Sequence, residues 1–318
     1  MYGNPLRRSA KATSIGNAAF DALKNGDGEV HSVFERTFNI LFGGELVGVA
    51  RSDVTRSPIN LVTDIPPNES MSSLGIDKGM QVKVDDRLLI DEVLEISLKD
   101  ATIWRPRNRV DGHPNFEHVK KNLKILEKFV ASNGRREGLG QLLSHIDEIA
   151  AGKRPSASNL SEVAEATLPH LASLFEAVRS GGVDEIKKIS RNLVGLGPGL
   201  SPSGDDALVG LMVALWWSAN SLGGDIERVK KINEAVVSCA DKTTLLSQQL
   251  LRHATRGETN EVVEILLDGI FVGEPEDVRV SAQRVLKIGE TSGADMTVGI
   301  LLGLRLGVGA LERLGFLK

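Results

Sequence analysis

The chain has 318 residues, a formal net charge of −4, 41% hydrophobic and 25% charged residues. This is ordinary globular usage, which excludes a disordered chain and leaves room for about two domains. The single cysteine, Cys239, excludes an intrachain disulfide scaffold and a cysteine-rich zinc cluster, while the acidic balance and 4% aromatic content exclude a basic, base-stacking surface for nucleic acid.

The first twenty residues carry Arg7, Arg8 and Lys11 with no continuous apolar run behind them, unlike a signal peptide. The most apolar stretch, 207–217, is too short to span a bilayer, so the expectation is a cytoplasmic protein with no membrane partner. Residues 9–24 read as a short helix stopped by Asn25-Gly26-Asp27-Gly28. From Val30 to about Ile103, short β-favouring runs (33–41, 46–50, 59–63, 81–84 and 88–90) are separated by glycine, proline and aspartate. Strands at this spacing predict a small antiparallel sheet or barrel. Gly112-His113-Pro114 marks the boundary, giving a mostly β domain over 1–110 and an all-α domain over 111–318. Helical periodicity places helices around 119–130, 139–150, 160–179, 183–194, 206–221, 226–239, 244–255, 260–267, 276–288 and 294–306. The fold class is therefore α+β, with the sheet first and the larger helical domain second.

The densest signal is residues 195–206, Gly-Leu-Gly-Pro-Gly-Leu-Ser-Pro-Ser-Gly-Asp-Asp, leading into an apolar helix. Four glycines and two prolines specify a tight loop whose backbone can approach a ligand. Ser203 is placed as the helix N-cap, with Asp205 and Asp206 complementing the positive helix end. Residues 292–304 echo 203–215 without gaps, with six of thirteen positions identical. Both copies read Ser-Gly-x-Asp at a helix start, with Gly210 and Gly299 four residues after Asp206 and Asp295. The predicted consequence is two helices in close contact through those glycines, with their N-termini converging on one site. Exposed N–H groups at two helix starts attract phosphate or carboxylate. Gly197, Gly199, Ser201, Ser203, Gly204, Asp205, Ser292 and Gly293 are the binding candidates, and Asp206 and Asp295 the catalytic ones. Carboxylates facing an anion need an intervening cation such as Mg²⁺, or an amide to accept from. Capped helices in a tight bundle are the purely structural alternative.

Other motifs narrow the chemistry. Gly199 and Gly204 have the glycine spacing of a phosphate-binding P-loop, but Asp205 and Asp206 stand where Lys and Ser/Thr belong. Thr243 or Thr244 caps the next helix and offers a further hydroxyl to the site. Arg105, Arg107 and Arg109 form either a solvated turn or an anion clamp at the domain junction. The histidines show no metal-ligand spacing.

The runs 197–206, Thr243-Thr244 and 291–295, together with 30–39 (Val-His-Ser-Val-Phe-Glu-Arg-Thr-Phe-Asn), resemble a bacterial family of long-unknown function associated with the AllH subunit of oxamate carbamoyltransferase. The family more often has Thr where Ser201 stands, which keeps the hydroxyl. The resemblance implies carbamoyl transfer between oxalurate and phosphate in purine and allantoin nitrogen catabolism. It also implies a hetero-oligomer with a partner subunit similar to acyl-CoA synthetases. The Ser-x-Arg-Thr signature of other carbamoyltransferases is missing from the sequence, so their mechanism does not transfer. Three readings follow: a transferase component binding a small anionic substrate, a non-catalytic partner-binding subunit, or a Mg²⁺-dependent hydrolase or sensor using Asp205, Asp206 and Asp295.

Overall fold

A computed structural model describes residues 8–134, 137–153 and 160–313, which divide into two compact units, Met1–Pro106 and Arg107–Lys318. The first unit contains β1 (Arg8–Gly16), α1 (Asn17–Leu23), β2 (Asp27–Val33), β3 (Thr37–Phe42), β4 (Glu45–Ala50), β5 (Asn60–Thr63), β6 (Gln81–Val84), β7 (Arg87–Ile90), β8 (Leu94–Ser97) and β9 (Thr102–Trp104). Pairing runs β5-β4-β3-β2-β6-β7-β8-β1, and β1 also pairs with β5, so eight strands close into a barrel. β9 adds to the C-terminal half of β1, whose N-terminal half pairs with β8. Closure leaves the ring with no free edge. Alternate residues of β3 and β4, including Phe38, Ile40, Phe42, Val47 and Val49, fill the interior at 0% exposure.

Three expectations change here. The sheet is mixed rather than antiparallel, because β1–β8, β1–β9 and β4–β5 run parallel. Residues 9–24 are a strand followed by a two-turn helix. Ala10 and Ala12 alternate with exposed neighbours, but such small side chains carry a weak period-2 signal. Residues 33–41 are not one strand, since Phe34 N–H bonds Thr37 O (2.8 Å) in a hairpin turn between β2 and β3.

The second unit is helical: α2 (Phe116–Asn133), a 3₁₀ turn (Gly140–His145) running into α3 (Ile146–Ala150), α4 (Glu162–Ser180), α5 (Val183–Leu193), α6 (Ser203–Leu222), α7 (Ile226–Val237), α8 (Leu245–Ala254), α9 (Glu261–Phe271), α10 (Pro275–Val285) and α11 (Ser292–Arg313). α6 and α11 form its centre. α6 is buried around nearly its whole circumference, as a fully enclosed helix must be apolar on every face. Ser292–Ala310 is long and apolar enough to cross a membrane by length and composition, yet 78% of it is buried inside the domain.

The glycines set how the two central helices meet. A Cβ on Gly210 would lie 2.1 Å from Met296 O, and one on Gly299 would lie 1.9 Å from Ala207 O. Met296 corresponds to Ala207 in the repeat, so the contact is reciprocal and the two helices cross about a local pseudo-two-fold. The relation extends backwards. Gly204 N–H bonds Leu196 O and presses on Leu193 O, while Gly293 N–H bonds Ile288 O and presses on Val285 O. Thus α5–α6 and α10–α11 are two versions of one helix pair. Nine residues, 194–202, link the pair in the first version and six, 286–291, in the second.

Candidate functional site

In the first copy the structure moves Ser203 from the cap position to the first helical residue, because Pro202 occupies the N-cap without a side-chain bond. Asp205 is therefore free to turn back. It accepts from Gly195 N–H (2.9 Å) and from the Thr243 hydroxyl, and it is 1% exposed. Thr244 caps α8 by accepting from Ser247 N–H (3.2 Å), and its hydroxyl bonds Leu200 O (2.5 Å). Thr243 thereby holds the loop's two ends through Asp205, and Thr244 holds its middle at Leu200. Inside it, Ser201 donates to Asp206 Oδ1. Gly197 (φ +118°) passes so near α6 that a Cβ would sit 2.9 Å from Ser203 N, whereas Gly199 (φ +94°) faces open space.

In the second copy Asp295 is 0% exposed and accepts from Leu139 N–H (2.6 Å) through Oδ1. Gly138 (φ +57°) permits this approach, since a Cβ there would be 2.5 Å from the same oxygen. Gly138 and Leu139 escape a sequence reading because a backbone donor has no side-chain signature. The two aspartates belong to one cluster. Burial drives the Asp206 carboxyl up to about 8, with the charges of Asp295 and Asp205 adding to the shift and the Ser201 and Ser292 hydroxyls opposing it. Burial also raises Asp295, opposed by Leu139 N–H and the hydroxyls of Ser203 and Thr291. Asp205 is raised by burial too, against its bonds to Thr243 and Gly195. The serines exchange partners, each acting on the aspartate of the opposite helix. Asp206 Oδ2 and Asp295 Oδ2 are both buried and make no hydrogen bond.

Several of these residues have partners within the fold. Gly204 and Gly293 are consumed in packing against the preceding helices. Asp205 has both oxygens occupied within the fold. Among the described residues, no three His, Cys, Asp or Glu side chains are arranged to hold a metal ion. Arg107 is not a vacant anion clamp. It pairs with Asp268, lies 3.5 Å from Glu264 Oε2, and gives its backbone N–H to Glu264 Oε1 (2.8 Å).

Residues 193–304 match the family described as oxamate carbamoyltransferase subunit AllH, and residues 11–103 match the AllH family N-terminal domain. The chain belongs to the AllH family. No solved structure matches it. In this AllH-family chain the C-terminal match starts on the last residue of α5 and ends inside α11, so it contains the glycine loop, Thr243-Thr244 and both Ser-Gly-x-Asp helix starts. The N-terminal match spans the barrel from β1 to β9.

Proposed function

We propose that this chain is the subunit of a carbamoyl-transferring enzyme that holds a small anionic substrate, carbamoyl phosphate or a small carboxylate, at the paired starts of α6 and α11. One observation carries the reading: Asp206 Oδ2 and Asp295 Oδ2 are buried without partners where two helix N-termini converge. A buried, unsatisfied polar atom costs about 1–3 kcal/mol, more when charged, and a ligand that pairs with it recovers that cost. With its carboxyl pushed up to about 8, Asp206 is largely protonated at neutral pH. It then donates to an anion, and the repulsion expected from its charge vanishes.

The chemistry needs orientation and stabilised charge rather than a side-chain nucleophile. The amide nitrogen of the acceptor attacks the carbamoyl carbon, a C–N bond forms, and the C–O bond to phosphate breaks. Phosphate leaves, and the proton shed by the nitrogen passes to a carboxylate. In this scheme Asp206 donates to the developing oxyanion and Asp295, held by Leu139 N–H, receives the proton. Ser201, Ser203, Ser292 and the glycine-loop backbone bind the anionic end. Run in reverse, with phosphate attacking the carbamoyl carbon of an N-carbamoyl oxamate (oxalurate) and the C–N bond breaking, the same step would place the chain in purine and allantoin nitrogen catabolism. There it would be one member of a cytoplasmic hetero-oligomer with an acyl-CoA-synthetase-like partner. The test is Asp206→Asn and Asp295→Asn in the reconstituted complex: each should lower carbamoyl transfer by about 10²-fold or more. Unchanged activity and unchanged phosphate affinity in both variants would sink the assignment.

A further inference from the structure

The segment 30–39 resembles the family, yet plays no part in the helix-start site. In the barrel its register lines up four residues across four strands: Ser32 (β2) faces Asn39 (β3), Asn39 faces Gly48 (β4), and Gly48 faces Asn60 (β5). Phe38 and Ile40 point into the barrel, so this row lies on its outer surface. A bulge between Val30 and Ser32 interrupts the alternation and lets the His31 ring reach the neighbouring hydroxyl (Nδ1 to Ser32 Oγ, 3.1 Å). Bulges of this kind re-aim side chains beside functional sites.

The orientation of both asparagines is fixed by what their NH₂ groups do. Asn39 Nδ2 donates to Ser32 Oγ (3.0 Å) and Asn60 Nδ2 donates to Thr55 O (3.3 Å). Both Oδ1 atoms therefore turn toward Gly48, lying 3.3 Å (Asn39) and 2.7 Å (Asn60) from the position a Cβ would take. Among the described residues neither oxygen accepts a hydrogen bond, and neither is among the fully buried atoms that lack a partner, so both remain reachable from solvent. Two neutral acceptors converging over a glycine match the two N–H bonds of a primary amide nitrogen. With His31 as the Nδ1–H tautomer, Ser32 Oγ accepts from His31 and Asn39, which frees its own O–H to donate to the adjoining carbonyl. We infer that this row is a binding site for a carboxamide or carbamoyl group, with Asn39 and Asn60 taking the NH₂ and Ser32 the C=O. The inference rests on the barrel alone and is independent of the helix-start reading.

Calorimetric titration of the full chain with oxamate, and with oxalate as the probe lacking the amide, tests it. Oxamate should bind the unaltered chain at least tenfold more tightly than oxalate. Asn60→Leu and Gly48→Ala should each abolish that preference while leaving oxalate affinity within twofold. Ser32→Ala, which keeps the barrel packing, should weaken oxamate alone. An oxamate-to-oxalate ratio near one in the unaltered chain, or a ratio unmoved by all three substitutions, overturns the proposal. So does binding of ammonium or Mg²⁺ that depends on the same residues. Inorganic phosphate is titrated separately: its failure to bind, with the amide preference intact, counts against the helix-start reading only.

Discussion

Replacing single glycines along α11 with alanine should give a graded loss of stability set by what each new Cβ meets. At Gly299 the methyl would sit 1.9 Å from Ala207 O, and at Gly303 it would sit 2.6 Å from Leu211 O. Both obstacles are backbone, so no rotamer change relieves them. Contacts under 3.0 Å are not tolerated, and the α6–α11 crossing must open by about 1 Å at Gly299. Overpacking of this kind costs about 3 kcal/mol at the upper end of its usual range. Alanine's better helix propensity returns about 1 kcal/mol. The net loss for Gly299→Ala is then about 2 kcal/mol, or about 4–8 °C in Tm for a domain of roughly 200 residues. Gly303→Ala should fall below this. Gly307→Ala, which meets the Ser218 side chain at 2.4 Å, should cost less because a hydroxymethyl can turn away. Gly309 meets nothing within 4 Å, so Gly309→Ala should raise Tm by about 2–4 °C. Thermal melts by circular dichroism, paired with urea midpoints, read the series. If Gly299→Ala melts at or above the unaltered protein, or Gly309→Ala melts lowest, the reasoning from close crossing is wrong.

Asp206 makes stability depend on pH. Its native carboxyl titrates at about 8, far above an unfolded aspartate, so the native state keeps a proton that the unfolded chain releases. That contribution is complete below about pH 4 and is lost as pH rises toward 8. Asp206→Asn should remove this slope, and Tm curves that stay parallel from pH 5 to pH 8 would contradict it. Glu258 has the opposite sign: burial would raise it, but His253 and Arg256 outweigh burial and hold it at about 2. Glu258→Gln should therefore flatten the loss of stability between about pH 4.5 and 2, measured by acid titration of ellipticity. Thr243→Val leaves one oxygen of buried Asp205 without its donor and should cost about 1–3 kcal/mol in urea unfolding, while Thr243→Ser should recover most of it. Equal stability of the Val and Ser variants would show that the hydroxyl bond is idle.

The legible parts of this molecule were those whose signal is local. The helices of the second unit announce themselves through period and punctuation, and the doubled Ser-Gly-x-Asp pattern predicted the reciprocal crossing of α6 and α11 because only a close approach repays two interior glycines. The barrel was half visible. Its antiparallel hairpins carry turn residues, but the parallel pairing of β4 with β5, and the placement of β1 between β8 and β5, depend on long-range closure that no short window encodes. Ser203 reads as a cap in the sequence yet lies inside α6, because Ser and Pro compete for the same turn and proline's fixed φ favours the position before the helix. The partners of the acidic residues, Gly195 N–H and Leu139 N–H, lay beyond reach because backbone donors look alike in every sequence.

The separation between the two central helices also governs how the chain is made. Beyond its first turn α6 is apolar on nearly every side, and its chief packing partner, α11, begins 89 residues after the start of α6. At ordinary synthesis rates that interval lasts roughly 5–20 s, during which a greasy twenty-residue rod has been translated and its mate has not. The barrel can close early, since all its strands precede Pro106. The helical unit must wait for its last helix, and in that window the apolar surface of α6 lacks the partner that covers it in the folded domain.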